Sequence, residues 1–196
     1  MCYGDSNTWG YNPERLHIRY SKSYRYPMVL QKLLGKDDIV IEEGLCARTM
    51  ANDDPYHLGS AYNGSKHFEN CFKSHLPIDA LVLFLGTNDM KDYFNFNCYD
   101  AANALDELYI AKIREISPKT KIIIVIPKEI DSTTFAGFEG AKEKSKDFEQ
   151  AYEALANKYN FDYISNDIIE LGKDGLHLSK NAHLNLANKI FDILKN

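Results

Sequence analysis

Two apolar runs with no polar interruption constrain this chain more than any other feature: residues 79–85 (DALVLFL) and 121–126 (KIIIVI). Each is bounded by turn formers, and neither alternates with period two. Runs of that length and kind suit strands buried on both faces, as in a parallel sheet covered by helices. Shorter strands are expected at residues 1–3, 38–42 (DIVIE) and 161–164. Helical spacing of apolar residues is read at 26–34, 65–74, 99–116 and 140–159. A closing helix is expected at 179–194, with Ser179 as its N-cap. Strands and helices alternate to the end, without repeats, low-complexity segments or linkers. The economical architecture is one α/β domain over residues 1–196, a three-layer α/β/α sandwich around a five-stranded parallel sheet. The flavodoxin-like order 2-1-3-4-5 is expected by analogy with folds of this size.

In that order the loops after the strands share one edge, and a crevice opens where strands one and three diverge. Gly4-Asp5-Ser6-Asn7 follows strand one, Gly44 follows strand two, and Gly86-Thr87-Asn88-Asp89 follows strand three. Asp174 and His177 lie beyond strand five. A serine hydroxyl is a weak nucleophile that needs a base within hydrogen-bond reach. His177 suits that work, because an imidazole has a reference pKa of about 6.5. Asp174, one turn earlier, can accept the other ring N–H and fix the tautomer. Attack on an acyl carbon creates an oxyanion, for which the Ser6 N–H, the Gly44 N–H and the Asn88 amide are the candidate donors. Glycine at 44 lets the backbone come close.

Those blocks carry a resemblance. GDSNTWG (4–10), the glycine of IEEGLCART (41–49), GTND (86–89) and DGLH (174–177) resemble, in order, the four blocks of the SGNH, or GDSL-type, hydrolase superfamily. Residues 41–55 and 75–94 resemble its bacterial arylesterase and acyltransferase branch, which includes perhydrolases. The resemblance implies the SGNH hydrolase fold and an esterase working through an acyl-enzyme, with transfer to alcohols or peroxide as a further activity. It makes Ser6 the nucleophile, Asp174 and His177 the rest of a triad, and Gly44 and Asn88 oxyanion donors. It also implies a homo-oligomer and a small-molecule ester substrate. The first strand is shorter than the family's: only Met1, Cys2 and Tyr3 precede the first block, so a stubby strand or preceding residues are expected. Asn7 stands where leucine is frequent, which implies a more polar pocket mouth. The 127–138 loop lacks the branch's proline-rich run.

Charge narrows the partners. The formal net charge is −5, with 28 acidic against 23 basic residues, which argues against nucleic acid as the main partner. No apolar run approaches the ~20 residues that span a bilayer, so no membrane partner is expected. With five residues ahead of Ser6, no leader is expected either. Cys2, Cys46, Cys71 and Cys98 form no C-x-x-C pair, and no histidine stands beside them at zinc-ligand spacing. They are read as reduced thiols in the cytoplasm, and neither a metal nor a cofactor is expected.

The remaining singled-out residues have plainer expectations. Asp5 is expected to brace the serine turn, Asp89 to cap the segment after it, and His183 to be structural. Arg48 is expected to pair with Glu42 or Glu43 and hold the Gly44 loop. Trp9 is open between core filler and a wall of the acyl pocket. Arg15, Arg19, Lys22 and Arg25, mixed with tyrosines, read as a solvated or oligomer-contact loop. Three functional readings stand side by side: an esterase for short-acyl or aryl esters, a carbohydrate deacetylase or thioesterase/lysophospholipase with the same triad, and a non-catalytic binding protein on this fold.

Overall fold

Five parallel strands in the order β2-β1-β3-β4-β5 form the sheet. They are β1 (Cys2–Gly4), β2 (Glu42–Gly44), β3 (Ala80–Phe84), β4 (Lys121–Val125) and β5 (Asp162–Ile164). The structure is a computed structural model that describes residues 1–57, 59–132 and 134–195; Leu58, Thr133 and Asn196, within or beyond the segments read above, lie outside the described residues. Every neighbouring pair of strands is parallel. Right-handed crossovers require helices between such strands, and their side chains cover both faces.

The two apolar runs split by alternate residues, as strand geometry demands. Leu81, Leu83 and Leu85 of the β3 run and Ile122, Ile124 and Ile126 of the β4 run point to one layer. Val82 and Phe84, with Ile123 and Val125, point to the other. The second layer is closed by α2 (Tyr26–Leu34) and α8 (Lys180–Lys195), which bring Tyr26, Leu30, Ala182, Leu186 and Ile190. The first is closed by α3 (Gly64–Ser74), by α4 (Cys98–Leu105) running through a π-helical turn into α5 (Ala111–Ile116), and by α7 (Phe148–Tyr159). A fully buried aliphatic side chain contributes about 1.5–3 kcal/mol, so the dozen that meet across these layers hold the sheet.

The strand expected at 38–42 begins later. The register sets Cys2 opposite Glu42, Ile41 gives β1 only its carbonyl, which accepts from the Cys2 N–H at 2.8 Å, and Ile39 is 84% exposed. The helix expected at 140–159 is two pieces, α6 (Ala141–Ser145) and α7. The Ser145 hydroxyl turns back to the Lys142 carbonyl and accepts from the Ile130 N–H, and such back-bonding bends a helix. Ser179 does cap α8, its Oγ accepting from the Ala182 N–H at 3.1 Å. Among the described residues no helix is long and apolar enough to cross a membrane.

Of the basic stretch after Tyr11, Arg19 and Arg25 are spent on the fold, while Arg15 and Lys22 are exposed. Arg25 holds the Glu42 carboxylate through two nitrogens at 2.7 and 3.0 Å. Arg19 reaches the same carboxylate at 2.9 Å. All four cysteines are free.

Candidate active site

The site starts where β1 runs into α1 (Ser6–Trp9), a single helical turn. Asp5 caps that turn, its carboxylate accepting from the Asn7 N–H at 2.8 Å. Burial pushes the Asp5 carboxyl up to about 6, against the pull of that N–H. Gly10, in the left-handed region at φ 86°, ends the turn. Ser6 is thereby fixed at the carboxyl edge of the sheet, at the end of β1.

The other half of the site arrives from 171 positions later. The Asp174 carboxylate folds its own loop by accepting from the Leu176 and His177 N–H groups, each at 3.0 Å. Its second oxygen meets His177 Nδ1 at 2.7 Å. His177 Nε2 lies 2.8 Å from Ser6 Oγ. Burial raises the Asp174 carboxyl, but the bonds and charge of His177 outweigh it and leave it below the usual carboxylate range. An ionised Asp174 only accepts, so Nδ1 donates to it and Nε2 is left to accept from the serine hydroxyl. The Tyr11 ring stacks on the imidazole at 4.2 Å, and Phe135 meets it edge-on at 5.5 Å.

Asn7 ties the halves together: its side-chain oxygen accepts from the Leu178 N–H at 2.9 Å. It is buried in that role and is not part of the cavity wall. Trp9 is not part of the wall either. Its ring lies under the Arg19 guanidinium at 5.1 Å, and its carbonyl accepts from Arg19 Nε at 2.6 Å.

Asn88 sits in a short helical turn after β3, with its amide donating to the Arg48 carbonyl at 3.1 Å. Arg48 departs from the expected ion pair. Its guanidinium donates to the carbonyls of Gly4 and Glu43 at 2.7 and 2.6 Å and stacks over Tyr3 at 4.2 Å. Both acids are already engaged, Glu42 by two arginines and Glu43 by His75. Arg48 therefore braces the ends of β1 and β2 through their carbonyls. Asp89 does not cap the segment after it. It accepts from the Met50 and Ala51 N–H groups and the Asn52 amide at 2.6, 3.0 and 2.9 Å, holding the loop that follows Arg48. Gly44 packs on α1: a Cβ there would come within 2.1 Å of the Trp9 backbone nitrogen.

Ser6, Asn88 and His177 open on a cavity of about 310 Å³, within the range of small-molecule sites. Ala47, Phe135, Ala136, Phe138 and Leu176 give it an apolar wall. Lys91 and His57 also line it, and the sequence reading did not single them out for the site. Both are anchored on the buried Asp54 carboxylate, at 2.6 and 3.1 Å. Tyr93 donates to the same carboxylate. Lys91 follows the GTND block by two residues, and nothing in its spacing signals that it faces this cavity. The arrangement presents a serine hydroxyl against the imidazole nitrogen that accepts from it, with Asn88 on the same small cavity.

The chain superimposes on the M. smegmatis aryl esterase with a TM-score of 0.88 at 28% identity, covering 99% of this chain and 96% of that one. It superimposes equally, at 0.88 and 31% identity with the same coverage, on Est24, a carbohydrate acetylesterase from Sinorhizobium meliloti. No curated protein matches. A model of the GDSL-like lipase/acylhydrolase family matches residues 2–186. The chain therefore belongs to the GDSL-like lipase/acylhydrolase family and is a serine ester hydrolase of the SGNH superfamily.

Proposed function

We propose that this protein hydrolyses small short-acyl and aryl esters through an acyl-enzyme formed on Ser6. The observation that carries the reading is the unbroken chain Asp174–His177–Ser6, at 2.7 and 2.8 Å, at the head of the cavity. His177 Nε2 takes the Ser6 Oγ proton as the oxygen attacks the ester carbon. The N–H groups of Ser6 and Gly44 and the Asn88 amide hold the oxyanion. His177 then returns the proton to the departing alcohol, leaving an acyl-serine. Water enters by the same route, and release of the carboxylic acid regenerates Ser6. An alcohol or peroxide in place of water gives acyl transfer or perhydrolysis. Asp174 keeps the imidazole oriented and stabilises its charged form. The scheme uses no cofactor. Residence in the cytoplasm and assembly as a homo-oligomer belong to the same proposal and are read by cell fractionation and sedimentation.

Ser6→Ala tests it. Hydrolysis of p-nitrophenyl acetate should fall by at least about a thousandfold, and a fluorophosphonate should label the unmodified protein at Ser6. Near-normal turnover in the variant, or labelling elsewhere, overturns the proposal.

A second substrate reading rests on Lys91 and His57 in the cavity lining. Polar side chains beside the apolar wall suit a hydroxylated alcohol, and the Sinorhizobium meliloti neighbour is a carbohydrate acetylesterase. Side-by-side rates on acetylated sugars, acyl-CoA and p-nitrophenyl esters decide between them.

A further inference from the structure

Away from the Ser6 cavity, three unlike donor groups converge. A carboxylate oxygen of Glu43, the Cys71 sulfur and an imidazole nitrogen of His75 all lie within 4.8 Å of one another. Cys71 stands on the last turn of α3, and His75 is the residue that ends that helix. Four positions apart, they share one helical face. Glu43 comes from β2, the edge strand. His75 Nε2 is 2.9 Å from Glu43 Oε1. The Cys71 thiol also donates to Glu43, and burial, then that carboxylate, pushes it up to about 11. All three residues are half-buried, which leaves room for a solvent ligand. The sequence reading found no histidine at zinc-ligand spacing beside the cysteines, whereas the fold brings His75 to both Cys71 and Glu43.

We propose that Glu43, Cys71 and His75 bind one zinc ion, with water in the fourth position. The donor set points to that metal. Zinc takes sulfur, nitrogen and oxygen together in a tetrahedral arrangement, whereas magnesium and calcium require oxygen ligands throughout. On binding, the Cys71 thiol gives its proton to solvent and becomes a thiolate. The His75 N–H moves from Nε2 to Nδ1, which frees the Nε2 lone pair. The ion replaces the two hydrogen bonds that now meet at Glu43. One carboxylate and one thiolate offset its two positive charges. Arg48 is the cation near Cys71, and its guanidinium already serves backbone carbonyls, including that of Glu43. The ion would clamp α3 to β2 immediately before Gly44. This inference does not rest on the assignment of Ser6.

The test is a metal titration of the whole protein after chelator treatment and dialysis. Zinc should bind at one ion per chain, raise the thermal midpoint, and protect Cys71 from iodoacetamide in peptide mass mapping. Cobalt(II) should give a thiolate-to-cobalt charge-transfer absorption in the near ultraviolet. Cys71→Ser should abolish that absorption, and His75→Ala should weaken zinc at least about tenfold. Both changes lie at a half-exposed helix end, and circular dichroism checks the fold; if one fails to fold, the other carries the test. No uptake, cobalt bound without the charge-transfer absorption, or unchanged affinity in either folded variant overturns the proposal.

Discussion

Gly44→Ala is the sharpest test of how the sheet supports the site. The new Cβ would stand 2.1 Å from the Trp9 nitrogen, 2.5 Å from Trp9 Cα and 2.6 Å from the Thr8 carbonyl carbon. All three are main-chain atoms of the turn that carries Ser6, so no side chain can rotate aside. Restoring ordinary contact requires β2 and α1 to separate by about 1 Å. Overpacking of this kind costs roughly 1–3 kcal/mol, and backbone clashes belong at the upper end. For a chain of this size, a cost of about 3 kcal/mol lowers the thermal midpoint by roughly 6–12 °C. Misplacement by about 1 Å can cost a hundredfold in rate, and loss of an oxyanion donor costs about 10²–10³. Initial rates on p-nitrophenyl acetate, normalised to folded protein, should therefore fall by roughly two to three orders of magnitude. A midpoint within about 1 °C of wild type would refute the packing argument. A lowered midpoint with full activity per folded molecule would leave the packing and remove Gly44 from the oxyanion site.

Two other changes probe the polar framework. Asp174→Asn keeps an oxygen for the Leu176 and His177 N–H groups but ends the charge that fixes the imidazole; turnover should drop by about three to four orders of magnitude with a near-native melt, and a drop below tenfold contradicts the assigned role. His183 is buried on α8, its Nδ1 accepting from the Tyr26 N–H at 3.3 Å. Burial first, then the charges of His177 and Arg25, push it down to about 3. Because the folded value lies below the unfolded one, its contribution is complete above about pH 6.5 and is lost toward pH 3, at about 1.4 kcal/mol per pH unit. Asp5, shifted the other way, opposes this between about pH 4 and 6. The measurable quantity is thus the difference in urea midpoints between wild type and His183→Gln from pH 7 to 4.5, and a constant difference would refute the argument.

The sheet was legible where burial forbids polar residues. Residues 79–85 and 121–126 could be little else than two-faced strands, and the loops after them located Asn88 and the crevice. Strand two was misplaced because its apolar pattern starts at residue 38, while pairing starts only where β1 supplies a partner at Cys2. Short-range rules also failed for Asp89 and Arg48. Each serves backbone groups about forty positions away, across the Gly44 loop. Tyr11, Phe135, His57 and Lys91 come from irregular segments without a period, so no pattern shows which way they face. Trp9 stayed open between core filler and pocket wall because it follows Ser6 by three residues, and only the contact with Arg19 shows that it is held away from the cavity.

The single bond from the Leu178 N–H to the Asn7 side chain has a consequence for how activity is lost. The hydroxyl and its proton acceptor belong to segments 171 positions apart, joined by this contact, by the Ser6–His177 bond itself and by the Tyr11 ring stacked on the imidazole. Fraying of the terminal segment alone would separate them, while the strands and most helices stay assembled. On heating, turnover should thus vanish ahead of ellipticity, as a latch slips before the door it fastens comes off.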